Sequence, residues 1–445
     1  MIPIEKKPLQ RLERFGLEAV PAELRKTGWV EYFIIQFTFS FNAGNVLLPA
    51  LAVMEGGLRF SEALLSCLAG AFFAFLLVSF LSLPGSLNGL PAQYALRTIL
   101  GSRLSQYAAS PVRSLISVYW FSVQTIGGTW MIIESLKRFG VQHVPFSILA
   151  AGLGAVMIGI TVIGFHAVKK ATAYFLPVLL AGEGIILYLY FTTNTSAPAS
   201  VSTQAGGASE GHVWTMLLFA SLVFVQYVAG VSASADMTRY AKSPNHGFWG
   251  MFAGNFIGFS ITAFLGIFSA VHFSEVNPFL SASKLTGSTA LFSIILAASV
   301  LSLISINLSN AYTGSFSLLN IFPALGRIKS AVLFGSAGII LSTIPSIVTE
   351  AKVWITMLGS LSIPLSAVIT SDFLIVKRRR ISEMDLLSMR QVNRDAVLSM
   401  ASGILLYWVI PSGAAPGFIS FICTFLLYTA ITKFRKKRLG QKVSS

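Results

Sequence analysis

The chain has 445 residues, of which 54% are hydrophobic and only 11% charged, with a mean hydropathy of +0.73. Soluble domains carry about 25% charged residues, so this composition leaves too little polar surface to cover a water-soluble body. A net charge of +15 would point to nucleic acid in a soluble protein. Here the basic residues lie between apolar blocks, where they serve as topology signals and lipid-headgroup contacts, and a nucleic-acid partner is excluded.

Residues 1–28 are charged and amphipathic, without the apolar core and cleavage site of a signal peptide. After them come apolar blocks of about 20 residues, the length of a helix crossing a hydrocarbon core roughly 30 Å thick. The blocks do not alternate, which excludes a transmembrane barrel. Twelve spans are predicted, at 29–54, 61–83, 112–136, 147–166, 171–192, 213–235, 247–272, 289–319, 330–349, 353–376, 396–410 and 417–432. Between the seventh and eighth, Asn277-Pro278 and Lys284 mark 273–288 as a short surface or re-entrant piece.

Lysine and arginine orient the spans. The segments 1–28, 84–113, 167–170, 236–246, 320–329, 377–395 and 433–445 together hold 27 basic residues, and the other side holds five: Arg59, Lys137, Arg138, Lys284 and Lys352. The excess places both termini in the cytoplasm and the chain in the inner (cell) membrane. Residues 193–212, rich in Ser, Thr, Ala and Gly, read as an external flexible linker. The expected layout is therefore a cytoplasmic segment 1–28, five spans over 29–192, the linker 193–212, and five spans over 213–376. A basic loop 377–395, two further helices in 396–432 and a basic tail 433–445 follow.

Two spans contain residues that loosen a helix. Span 1 runs Phe37-Thr38-Phe39-Ser40-Phe41-Asn42-Ala43-Gly44-Asn45 before Pro49, and span 6 runs from Gln226-Tyr227 through Gly230 to Ser234-Ala235-Asp236. Glycine weakens the helix there, while Ser and Asn can replace its ladder hydrogen bonds. Close helix packing by small residues is the alternative reading. The two segments lie five spans apart, as in transporters built from inverted five-helix repeats.

Span 3 sets Trp120 and Gln124 four residues apart, on one helix face. An indole beside an amide suits a flat, hydrogen-bonding heterocycle, although a packed Trp with an interhelical Gln gives the same pattern. In span 8, Ser302, Ser305, Ser309 and Tyr312 form a polar stripe whose oxygens suit sodium or bond neighbouring helices. Glu183, between glycines in span 5, is a candidate for proton coupling because carboxylates at membrane depth are usually functional. Asp236 and Asp372 end their spans near Arg239 and Lys377, where ion pairs or gate contacts are expected. Cys67 and Cys423 form no disulfide or zinc pattern, and no Walker loop or HExxH is present. Neither a cofactor nor ATP hydrolysis is expected, so transport is driven by an ion gradient or runs downhill.

The segment Asp236-Met237-Thr238-Arg239-Tyr240 resembles the Asp-x-x-Arg-Tyr/Phe signature of the nucleobase–cation symporter family, and the likeness extends to Phe37–Asn45, Trp120–Gln124 and Ser309-Asn310. The resemblance implies an all-α membrane protein of twelve transmembrane helices. Its fold would be a leucine-transporter-type 5+5 inverted repeat with two peripheral helices. It further implies a substrate ring held between Trp120 and Tyr227, with Gln124 and Asn310 as its amides. A cation would sit between the carbonyls of Gln36 and Phe39 and the hydroxyls of Ser305 and Ser309. Leu308 stands where some sodium-coupled members have a second hydroxyl, and Gly314 where the hydantoin-type transporter has a substrate amide. The expected partners are a small-molecule substrate, the bilayer and a sodium ion or proton, with the chain a monomer or weak oligomer. An amino-acid or amine transporter of the same fold, a channel and a membrane enzyme are the rival readings. The enzyme and channel are disfavoured by the absence of clustered carboxylates or histidines at a membrane face and of a repeated pore motif.

Overall fold

The computed structural model describes residues 13, 15–193, 210–387 and 389–443; most of the expected linker 193–212 and of residues 1–14 lies outside the described residues. Spans 1 to 5 are Trp29–Met54 (broken between Ser40 and Leu47), Phe60–Phe80, Ser110–Arg138, Phe146–Ile163 and Phe165–Thr192. Span 6 is Glu210–Val228 with a short continuation Ser234–Thr238. Spans 7 to 12 are Pro244–Phe273, Thr289–Ile321, Gly326–Ser342, Ala351–Ser371, Arg394–Val409 and Pro416–Val443.

Nine helices among the described residues are long and apolar enough to cross a membrane. The other three spans depart from that standard for identifiable reasons. Span 1 is broken, span 3 is diluted by Trp120, Gln124 and several hydroxyls, and span 11 has only 16 residues. The structure shifts some predicted ends. Span 5 begins at Phe165, directly after Gly164, so Lys169 and Lys170 ride on the helix. The basic tail is helical to Val443. The piece expected at 273–288 is a helix, Pro278–Leu285, whose first turn is capped by the Asn277 side chain.

Contacts between spans follow a shift of five. Span 1 packs on span 7 as span 6 packs on span 2; spans 3 and 8, and spans 4 and 9, pair across the centre. Because five is odd, the second set runs opposite to the first. Small residues set the closest approaches. Gly250, Gly254 and Gly258 of span 7 lie against the backbone of Trp29, Phe33 and Phe37, and Gly70 of span 2 lies against Ala220 of span 6. Such contacts substitute for the hydrophobic drive that lipid does not supply. Spans 11 and 12 lie outside this arrangement and pack on each other and on span 10, which itself contacts span 6 as span 5 contacts span 1. Asp372 accepts a hydrogen bond from Tyr428 (2.6 Å), which in turn accepts one from Asn393 (2.8 Å), so a buried polar chain pins span 10 to span 12.

The basic face is closed by the segment around Glu13. Its carboxylate accepts hydrogen bonds from Tyr240 (2.7 Å), Tyr312 (2.9 Å) and Arg239 (3.4 Å), and from the Phe165 backbone N–H (3.2 Å). Arg239 is fully buried and also donates to the carbonyls of Phe15 and Gly16. The Asp236–Arg239 pairing expected from the sequence is therefore corrected: Arg239 bonds Glu13, while Asp236 Oδ1 accepts the Ala92 N–H at 2.8 Å. The expected Asp372–Lys377 pair is long, 4.0 Å, because Lys377 bonds Asp385 at 2.6 Å. Gly164 lets the chain carrying Glu13 approach: its φ is +107°, and a side chain there would strike Glu13.

Removing one partner of a buried charge pair costs about 3–5 kcal/mol. Glu13→Ala is expected to lower the thermal unfolding midpoint of the detergent-solubilised protein clearly, whereas Glu23→Ala, at an exposed site on the same segment, is expected to leave it unchanged. Equal midpoints for both variants would contradict the role assigned to Glu13.

Candidate functional site

Both helix breaks face one cavity of about 140 Å³. At the first, Ser40 ends one helix and Leu47 starts the next, leaving backbone groups at membrane depth without a ladder. Asn42 replaces it: Nδ2 donates to the Phe39 carbonyl (2.6 Å), and Oδ1 accepts from the N–H groups of Gly44 (2.8 Å) and Asn45 (3.1 Å). The Ser40 carbonyl receives Asn45 Nδ2 and Thr262 Oγ1, and the Ala43 N–H reaches Ser302 Oγ of span 8 at 3.1 Å. At the second break the chain turns through Ala229–Ser232, and Gln93 donates to the Ser232 carbonyl.

Four walls complete the cavity. Span 3 contributes the stripe Arg113, Ile116, Trp120 and Gln124, and span 8 contributes Ile306, Ser309, Asn310 and Thr313. Spans 1 and 6 supply Gln36, Phe39, Asn45, Gln226 and Tyr227, and span 7 adds Asn255. The Tyr227 ring is held by Phe75 (centroids 4.6 Å apart) and Phe259 (5.1 Å), and Trp120 meets the edge of Tyr119 at 5.3 Å. Gln124 is buried with Oε1 unpartnered, and Asn310 turns Nδ2 onto Asn307 Oδ1. Gly44 is what admits Gln124, since a Cβ there would collide with the Gln124 amide.

Of the residues singled out in the sequence, Trp120, Gln124, Tyr227, Asn310, Gln36, Phe39 and Ser309 line this cavity. Two do not. Ser305 lies behind the wall, fully buried, with an unpartnered Oγ. Glu183 is buried on span 5 with Oε2 unpartnered, beside Gly182, which packs on Ala298 of span 8. Sequence reasoning missed Arg113, Asn255 and Thr313. Arg113 was assigned to a basic loop because it falls at a predicted helix boundary, yet it is buried and donates to Thr313 Oγ1 at 2.8 Å. Its spacing of seven from Trp120 carried the signal, two turns along one face. Asn255 is an amide in a span of Phe and Gly, and it accepts the Ser40 hydroxyl at 2.7 Å. No group of three or more His, Cys, Asp or Glu suited to a metal ion occurs among the described residues.

Residues 19–428 match the family model described as permease for cytosine/purines, uracil, thiamine, allantoin. The chain belongs to this family. Hydantoin permease of Microbacterium maritypicum is 24% identical over 354 residues, covering 76% of this chain and 71% of that one. Among solved structures, a nucleobase–cation-symport-1 family transporter, closed with bromovinylhydantoin bound, gives a TM-score of 0.78 at 19% identity, covering 95% of this chain and 96% of that chain. A substrate-bound, outward-open Na⁺-coupled sialic acid symporter gives 0.61 at 14% identity, covering 93% and 91%. The fold is thus the leucine-transporter type, two inverted five-span repeats with two peripheral helices, as the five-span shift in packing indicates. The permease is a multi-pass membrane transporter for a nucleobase-like compound and not an enzyme.

Two variants separate the parts of this site. Gly44→Ala drives the Gln124 amide from its position and is expected to weaken ligand binding about tenfold, the loss of one good hydrogen bond, with little change in melting. Asn42→Ala strips three backbone groups of their partner and is expected to lower stability by about 1–3 kcal/mol. Ligand titration and thermal melts on the same preparations check both.

Proposed function

We propose that this permease imports a planar nucleobase-like heterocycle by cation-coupled alternating access. The observation carrying the reading is that Trp120, Tyr227, Gln124 and Asn310, from three different spans, line one cavity at the two helix breaks. Aromatic faces hold a flat ring and the amides read its polar edge. The hydantoin-binding relatives support a ring of this kind. Hydantoin itself is disfavoured, because Gly314 stands where the hydantoin-type transporter has a substrate amide, and it packs against Phe334 and Ser117 instead of lining the cavity.

The cation site of this reading lies between the carbonyls of Gln36 and Phe39 and the hydroxyls of Ser305 and Ser309. The free Oγ of Ser305 favours sodium, whereas Leu308, fully buried in the apolar core, removes an oxygen and favours a proton, with Glu183 as its carrier. A cation that stabilises the substrate-binding form raises substrate affinity, and the substrate raises cation affinity by the same factor. The 27-to-5 split of basic residues supports cytoplasmic termini in the cell membrane. The repeats take 29–192 and 213–376, the linker 193–212, the basic loop 377–395, the peripheral pair 396–432 and the tail 433–445. We assign a monomer or weak oligomer.

Uptake of radiolabelled nucleobases by expressing cells, in sodium or choline and at two pH values, tests the reading. Saturable uptake of a planar base is expected, with Trp120→Ala weakening it about 10- to 100-fold, the range for loss of one base–aromatic stack. Loss in choline assigns sodium; survival in choline with collapse on uncoupling and in Glu183→Gln assigns protons. Uptake indifferent to Trp120→Ala removes the site assignment, and uptake of an amino acid but no base removes the substrate class.

A further inference from the structure

We infer that the substrate carries a negative charge on the ring edge facing away from Gln124, and that Arg113 is its counter-charge; this deepens the stacking reading above and rests on it. Arg113 opens the stripe that continues through Ile116 and Trp120 to Gln124, so it lies toward the basic face, about 10 Å along the helix axis from Trp120. A ring stacked at Trp120 with one edge on Gln124 therefore presents its opposite edge toward Arg113.

The guanidinium is held for such a contact. Thr313 Oγ1 gives its proton to the Ser309 carbonyl (2.9 Å), so its lone pair receives Arg113 Nη2 at 2.8 Å. Arg113 Nε has no partner, although the side chain is only 8% exposed. Ser234, just beyond the break in span 6, lines the same cavity, buried and with Oγ unpartnered. Arg113 and Ser234 thus each leave one buried polar atom without a partner in the wall of this cavity.

Charge counting leads the same way. Among the described residues, no Asp or Glu lines the cavity. Of the buried carboxylates at this end, Glu13 is engaged by Arg239 and two tyrosines. Asp236 is close enough to act on Arg113 but makes no ion pair with it among the described residues: its Oδ1 accepts the Ala92 N–H and its Oδ2 is buried without a partner. A guanidinium is the side chain suited to carboxylate recognition, through its planar fork of donors. A planar heterocycle bearing a carboxylate, rather than a neutral base, completes this half of the cavity.

Purified protein in lipid nanodiscs, titrated calorimetrically at fixed sodium with uracil, uracil-6-carboxylate and uracil-5-carboxylate, tests this. The carboxylates are expected to bind at least about tenfold more tightly than their neutral parent, the scale of one charge-assisted hydrogen bond. Arg113→Gln is expected to abolish that preference and Arg113→Lys to keep part of it. Thr313→Val, which keeps the charge but loosens its seat, reduces the preference if Arg113→Gln fails to fold. The neutral ring binding as well as the acids in the wild type, or a preference unchanged in these variants, overturns the inference while leaving the stacking reading intact. Failure of every ring, neutral or acidic, to bind overturns both.

Discussion

The constraint on which this structure depends is the saturation of backbone hydrogen bonds where two helices are interrupted inside hydrocarbon. An unpaired N–H or carbonyl there costs several kcal/mol, so a break survives only if side chains replace the ladder. At the span-1 break, Asn42 does most of this work, with Asn45, Thr262 and Ser302 supplying the rest from three elements. At the span-6 break, Gln93 supplies one replacement from outside the span and Ser232's own hydroxyl, on the Ala229 carbonyl, supplies another from within it. Because Thr262 and Ser302 come from spans 7 and 8, the span-1 break ties those helices together as well as opening a cavity between them.

The close approaches follow from the same logic. Lipid gives no hydrophobic reward for helix association, so packing and polar contacts must supply it. The glycines of span 7 against span 1, and Gly70 against span 6, occupy corresponding places under the five-span shift. Each broken helix is thus held against its neighbour by glycine contacts in the structure. Gly44 adds a local version of the rule, since an absent side chain is what lets Gln124 lie against the break.

Much of this was legible in the sequence. Length and hydropathy located the spans, because hydrocarbon thickness admits little variation, but not all their ends: span 5 begins six residues before 171, span 9 ends at Ser342 rather than 349, and span 12 runs to Val443 rather than 432. The breaks were legible because Asn, Ser and Gly at membrane depth have few other reasons to be there. The Trp120–Gln124 face followed from helical periodicity alone. What the sequence hid were partnerships distant along the chain. Glu13 meets Arg239, Tyr240 and Tyr312, and nothing local to Arg239 favours that carboxylate over the nearer Asp236. Arg113 was misread for a related reason: a basic residue at a span boundary satisfies the topology rule whether it faces water or a cavity. Only packing distinguishes those cases.

The break in span 1 also bears on how coupling would work in the proposed transporter. The Phe39 carbonyl, a proposed cation ligand, already accepts Asn42 Nδ2 at 2.6 Å, and the same Asn42 side chain positions Gly44 and Asn45. A cation at that carbonyl would share the oxygen with Asn42 or displace it. Displacement would alter the turn that seats Gln124, while sharing would stiffen it. In either case the ion acts on the substrate site through one asparagine and one glycine, over a few ångströms of backbone. The Ala43–Ser302 contact ties that same turn to span 8, which bears the other proposed cation ligands and Asn310. In the proposed sites, cation and substrate would meet at this single turn, and its bonding by side chains rather than by a helical ladder would leave it able to respond to both.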